Sequence, residues 1–163
     1  MIDPSLFREA MSTFPTGVTV VTALGEDGGI TGFTASAFTS LSLDPPLVLI
    51  CPARTSVTYA NILARRSFAI HFLSDEQEAV AYAFASKGPN KLPQSEWRLS
   101  ANVNPVLHRH ACLIECTLWQ EYDGGDHAIV VGAVQSIQQG DADALFYYRG
   151  SMFSGAKIPQ SLS

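Results

Sequence analysis

Charge is scarce in this sequence. Asp, Glu, Lys and Arg make up only 15% of its 163 residues, against 47% hydrophobic residues, where soluble domains carry about a quarter charged residues. With so little polar surface, part of the chain is expected to be covered by a partner, and a second copy is the default, giving a homodimer. The charge that exists leans acidic, at a formal net −5 and a pI near 5.2. No basic run exceeds Arg65-Arg66, so nucleic-acid binding through phosphate neutralisation is excluded. Long hydrophobic runs are missing as well. Pro45 to Cys51 falls far short of the ~20 residues a membrane span needs. The opening MIDPSLFREAM has neither the basic region nor the apolar core of a signal peptide. Three cysteines without an export signal point to reduced thiols in the cytoplasm.

Several catalytic signatures are also missing. Gly25, Gly28, Gly29 and Gly32 do not spell GxGxxG, and there is no P-loop, so any nicotinamide must bind without a Rossmann unit. No GxSxG elbow marks a serine nucleophile. His108, His110, Cys112 and Cys116 share even parity, but at strand rise the two cysteines would stand roughly 13 Å apart. One tetrahedral zinc cannot bridge that gap, so no metal site is expected and both cysteines read as core.

What is present fits one domain, 1–155, with a short tail at 156–163. Three helices are predicted. Asp3-Pro4 supplies an N-cap and an N1 proline, and Phe7, Ala10, Met11 and Phe14 then share one face. A second helix runs from about Ser56 to Arg65. A third starts at Ser74, with Gln77 closing a capping box. Strand patterns cover Gly17–Ala23, Ile30–Thr39, Leu47–Cys51, Ser67–Leu73, Cys112–Tyr122, His127–Gln138 and Ala144–Tyr148. Phe68, Ile70 and Phe72 face one way, as do Cys112, Ile114, Cys116 and Leu118. Asp123 to Asp126 turns a hairpin through Gly124-Gly125. Ser86 to His110, with three prolines, reads as a long loose excursion. Many strands and few helices make a mainly β chain, an antiparallel barrel with short helical additions.

The richest chemistry lies between Gly32 and Cys51, GFTASAFTSLSLDPPLVLIC. Thr34, Ser36, Thr39, Ser40 and Ser42 offer hydroxyls, and Ala35 and Ala37 leave room for a flat ligand near the backbone. A Thr/Ser-rich strand with one solvated face explains the same composition. Cys51-Pro52-Ala53-Arg54-Thr55-Ser56 leads into a helix start, where Arg54, Ser56 and Thr58 could hold an anion; ordinary N-capping explains one of the hydroxyls. Ser86-Lys87-Gly88 suits a helix C-terminus. His127 opens an apolar strand and could face a cleft, titrating near neutral pH, or be structural. Tyr147-Tyr148 could stack on a ring or simply pack.

Taken in order, FREAMSTFPTGVTVVTA, GFTASAFTSLSLDPPLVLIC, PARTSVTYANI, FASKG, YDGGDHAIVVGAV and LFYYRG resemble the short-chain flavin reductases of two-component monooxygenase systems. The resemblance runs from about Leu6 to Gly155. It implies an FMN-binding split barrel acting as a homodimer, with FMN or FAD as flavin and NADH or NADPH as electron donor. It implies that Thr34, Ala35, Ser36 and Ala37 line the isoalloxazine and ribityl chain. Cys51, Pro52 and Ala53 would pass beside the flavin, Ser56 would approach its phosphate, and Ser86 and Lys87 would make polar contacts. His127 would stand at the nicotinamide side with Tyr148 near the same cleft, and Thr16 and Gly17 would line it. The reduced flavin would go to a partner monooxygenase. The rival expectations are a non-enzymatic flavin- or haem-binding split barrel, a pyridoxamine-phosphate-oxidase-like enzyme, and a plain structural barrel. The count of only ten Lys and Arg residues disfavours the oxidase-like reading, which needs cations for a second phosphate.

Overall fold

Two consecutive strands, β3 (Ile30–Ala35) and β4 (Phe38–Leu43), lie at opposite edges of one seven-stranded sheet. Only Ser36 and Ala37 separate them, so the sheet must curl until its edges approach. In the computed structural model, which describes residues 2–86 and 92–157, the other five strands are β2 (Thr19–Leu24), β5 (Pro46–Ile50), β6 (Ser67–Phe72), β9 (Cys112–Gly124) and β10 (His127–Gln139). The order is β3-β2-β6-β9-β10-β5-β4, and every pairing is antiparallel. Phe38 on an edge strand meets Phe72 on β6 edge-to-face, with centroids 4.9 Å apart, so side chains fill the curl.

A smaller sheet joins β1 (Thr16–Gly17), β11 (Leu145–Tyr148) and β12 (Ser151–Ser154). A hairpin of β7 (Trp97–Leu99) and β8 (Pro105–Leu107) stands beside the main sheet. The helices are α1 (Pro4–Ser12), α2 (Val57–Arg65) and α3 (Glu78–Ala85).

The alternating faces sort as the sequence suggests. Phe68, Ile70, Ile114, Cys116 and Leu118 enter the main core, with Phe72 and Cys112 packed against it. A second core gathers Val20, Leu73, Phe84, Trp97, Leu107 and Leu145. Strand β2 separates the two, with Val21 and Ala23 on one side and Val20 on the other, so all six of its residues are buried. A strand covered on both faces loses its polar alternation.

Three expectations need correction. Ile30–Thr39 is two strands, because the chain crosses from one sheet edge to the other at Ser36–Ala37. The third helix begins at Glu78, not Ser74. The Gln77 side chain does reach back to accept from the Ser74 N–H at 2.8 Å, but Ser74 is bridged to Ala144 and remains extended. The described part of Ser86–His110 is ordered. Trp97 and Leu107 are core residues, Thr22 Oγ1 donates to Pro105 O at 2.5 Å, and Ser100 and Asn104 both donate to Glu115 Oε1. Gly155–Lys157 form a 3-10 turn, tied by Gly155 N–H to Ala144 O at 2.8 Å. Strands β1 and β12 were not foreseen, being too short for a periodic signal.

Candidate active site

Register brings three predicted segments to one end of the curled sheet. Phe38 pairs with Ile50, and Ile50 pairs with Val130. Ser36–Ala37, Cys51–Ala53 and the β9–β10 turn therefore leave the sheet together. An isolated bridge pairs Ala53 with His127. Ala128 N–H donates to Pro52 O at 2.9 Å, and Arg54 N–H to Asp126 O at 3.0 Å.

Arg54 fixes this meeting point with its side chain. Its Nε donates to Gly125 O at 2.9 Å, and its Nη2 pairs with Asp123. One guanidinium thus clasps both a carbonyl and a carboxylate of the turn that precedes His127. His127 Nδ1 lies 2.7 Å from Asp126 Oδ1. That hydrogen bond holds the Asp126 carboxyl below its ordinary value, helped by the imidazole's charge. It also orients the ring and leaves Nε2 without a hydrogen-bond partner among the described residues.

A cavity of about 280 Å³ is bordered by Ser36 at the crossing, whereas Ala37, Cys51, Pro52, Ala53 and His127 are not among its lining residues. Phe14, Phe38 and Phe72 give it aromatic walls, and Thr16, Gly17 and Ser36 supply its small and polar edge. At Gly17 a side chain would meet nothing within 4 Å, which leaves room for a flat ring. Thr16 Oγ1 is buried without a hydrogen-bond partner. Aromatic walls, an open glycine and an unsatisfied hydroxyl are what a planar heterocycle with a polar edge requires. These residues therefore fit a flavin or nicotinamide ring.

The remaining predicted residues are placed as follows. Thr34 Oγ1 donates to Ala81 O at 2.6 Å, tying β3 to α3, and Ala35 O accepts from Thr19 Oγ1 at 2.7 Å. Ser56 caps α2, accepting from Tyr59 N–H. Of the three groups suited to an anion at that helix, Arg54 is engaged by the turn and Thr58 is 3% exposed; Ser56 is the one left half-buried at the surface. Ser86 Oγ donates to Ala83 O at 2.7 Å, and Lys87 lies outside the described residues. Tyr148 stands under the Arg149 guanidinium, 5.5 Å from its ring centroid. It neither lines the cavity nor bonds to His127 among the described contacts. Its neighbour Tyr147 pairs with Thr16.

Burial raises the Cys51 thiol above its ordinary pKa. It therefore stays protonated at neutral pH, a small apolar group at this end of the sheet. Cys116 is pushed up to about 12 by burial and by the Glu115 charge. Among the described residues no cluster of His, Cys, Asp or Glu is arranged to hold a metal.

Sequence reasoning missed the aromatic walls and the Arg54 clasp. Phe14 read as a helix-face residue and Phe72 as a strand-face residue, and Phe38 drew no reading of its own; the curl brings the three together. Arg54 and Asp123 are oppositely charged, but 69 positions apart, and no local pattern links them.

Comparison with known proteins agrees with this geometry. Residues 11–156 match the family described as flavin reductase like domain. The chain is 41% identical over 150 residues to the reductase component of a flavin-dependent trigonelline monooxygenase of Acinetobacter baylyi, covering 92% of this chain and 48% of that protein. It thus spans about half the length of that relative. It is 40% identical to a flavin reductase of Pseudomonas putida, covering 96% of this chain and 93% of the relative. An NADH:FAD oxidoreductase of Streptomyces globisporus, solved with NAD and FAD fragments, superposes with a TM-score of 0.88 at 31% identity, covering 100% of this chain and 99% of the other. The mainly β, antiparallel curled sheet, the cavity and the matched sequence lead to one conclusion: this chain belongs to the flavin reductase family.

Proposed function

We propose that this chain is an NAD(P)H-dependent flavin reductase that supplies reduced flavin to a separate monooxygenase. The observation that carries the reading is the convergence of Ser36–Ala37, Cys51–Ala53 and His127 at one end of the sheet, where Ser36 also borders an aromatic cavity. A bound flavin, FMN or FAD, would supply the chemistry by accepting a hydride from NADH or NADPH. The protein's own part is positioning. Phe14, Phe38 and Phe72 would wall a flat ring and exclude water from it. Ala35–Ala37 and Cys51–Ala53, whose side chains are mostly small, would leave their backbone open to the flavin. His127, held through Nδ1 by Asp126, presents Nε2 to orient a carboxamide or carry a proton. Ser56 and Ser86 are assigned to the phosphate side, and Lys87 is assigned there by the family resemblance alone. Tyr148, stacked against Arg149, is assigned to the nicotinamide side by the family resemblance alone.

Residues 1–155 form the reductase domain and 156–163 a tail. The chain acts as a homodimer in the cytoplasm. A second copy is supported by α1, which has no buried residue although Leu6, Phe7 and Met11 are 60%, 55% and 55% exposed. No helix among the described residues is long and apolar enough to cross a membrane.

Substitution of His127 separates a reductase from a protein that only binds flavin. His127→Ala is expected to slow nicotinamide oxidation by about 10- to 100-fold while changing flavin affinity by less than about threefold. Unchanged turnover would remove His127 from the reaction.

A further inference from the structure

Thr16 Oγ1 has no partner, although it is buried. Among the described residues it is the one side-chain oxygen or nitrogen in that condition. Thr19, which lines the same cavity, has its hydroxyl engaged: Oγ1 donates to Ala35 O, just as the buried Thr22 Oγ1 donates to Pro105 O. A shielded, unpaired hydroxyl weakens a fold, so a native structure that keeps one calls for a reason. Valine has the same shape, suits a strand better and carries no polar atom.

Thr16 also lines the cavity, next to Gly17 and across from Ser36. A threonine presents a methyl and a hydroxyl on one carbon. Rotation about its Cα–Cβ bond from one staggered well to the next exchanges their places. We propose that ligand binding turns Thr16 so that its hydroxyl enters the cavity and hydrogen-bonds the amide edge of a planar heterocycle, making Thr16 a ligand-positioning residue of this reductase. The inference rests on the reductase reading above. Two heterocycles share the chemistry, the imide edge of a flavin and the carboxamide of a nicotinamide, and the experiment separates them.

Because the hydroxyl is unsatisfied without ligand, removing it must act in opposite directions on fold and on binding. Thr16→Val is expected to raise the melting temperature of the ligand-free protein by about 2–4 °C. It is expected to weaken ligand engagement by about 3- to 10-fold. Loss in a fluorescence titration with FMN or FAD alone identifies the flavin edge. An unchanged titration with a raised KM for NADH or NADPH identifies the carboxamide. Thr16→Ser keeps the hydroxyl and is expected to stay within about twofold of wild type in both. A lowered melting temperature in Thr16→Val would mean that the hydroxyl supports the fold. Unchanged flavin affinity and nicotinamide KM would mean that it never meets a ligand. Either result overturns the proposal. Absence of turnover in the wild type would instead sink the reductase reading, and the melting and flavin-titration arms are read independently of turnover.

Discussion

Gly132 shows how tightly single residues are constrained in the main core. A Cβ there would lie 2.6 Å from Phe68 Cζ and 2.8 Å from Cys116 Cβ. Neither neighbour can retreat from a filled interior, so Gly132→Ala is expected to cost about 1–3 kcal/mol, read as a fall in urea midpoint. His71 is constrained by polarity instead. It is fully buried, with Nδ1 3.0 Å from Val20 O and Nε2 accepting from Leu107 N–H at 3.1 Å. Val20 O can only accept and Leu107 N–H can only donate, so the ring is neutral with its proton on Nδ1. Burial lowers its pKa from 6.5 to about 4, against the opposing pull of the Val20 carbonyl. The folded pKa lies below the unfolded one, so the unfolded chain takes the proton first. Stability is full above about pH 6.5 and declines as pH falls towards 4, by on the order of 3 kcal/mol. Melting temperatures measured from pH 7 to pH 4.5 should show this decline, and His71→Gln should remove most of it. A flat wild-type profile would contradict the assignment. Nothing in the sequence around His71 reveals this role, because Val20 and Leu107 come from distant strands.

At the scale of elements, the helices and strands that bury a face were legible. Strands β6 and β9 alternate as their spacing suggests, and Asp3 caps α1 by accepting from Ser5 N–H at 2.6 Å. The break at Ser36–Ala37 was not legible, because hydroxyl and small residues suit a strand as well as a crossing. The start of α3 was misread for a related reason. A capping-box pattern at Ser74 and Gln77 was captured by strand pairing with Ala144. Arg54 joins two elements that no local pattern connects. Its side chain is 39% exposed, so its contribution to stability is expected to stay below about 1 kcal/mol. Its effect on the site should be larger than that. Arg54→Ala frees the turn that presents His127 and is expected to lower turnover about 3- to 10-fold with little change in melting temperature. Arg54→Lys should recover only part, since an ammonium cannot hold Gly125 O and Asp123 together in a planar fork. Steady-state kinetics beside a thermal melt checks both.

For the whole molecule, scarcity of charge and an uncovered helix point the same way. Phe7 and Met11 are exposed on α1, and neither supports the fold of a single chain. If the proposed homodimer forms through α1, Phe7→Glu with Met11→Glu should leave secondary structure intact and give a monomer in light scattering after size exclusion, where the unsubstituted protein gives a dimer. A doubly substituted protein that stays dimeric would place the interface elsewhere. The family was legible from ordered motifs between Leu6 and Gly155, and the site only in part. The segments around Ser36, Cys51 and His127 do converge, whereas the aromatic walls needed the curl to assemble them. The most direct test of the central claim is oxidation of NADH and of NADPH, followed at 340 nm, with added FMN and with added FAD. The expected result is enzyme-dependent oxidation with at least one pairing, abolished when flavin is omitted. No oxidation above background in any of the four pairings would contradict it.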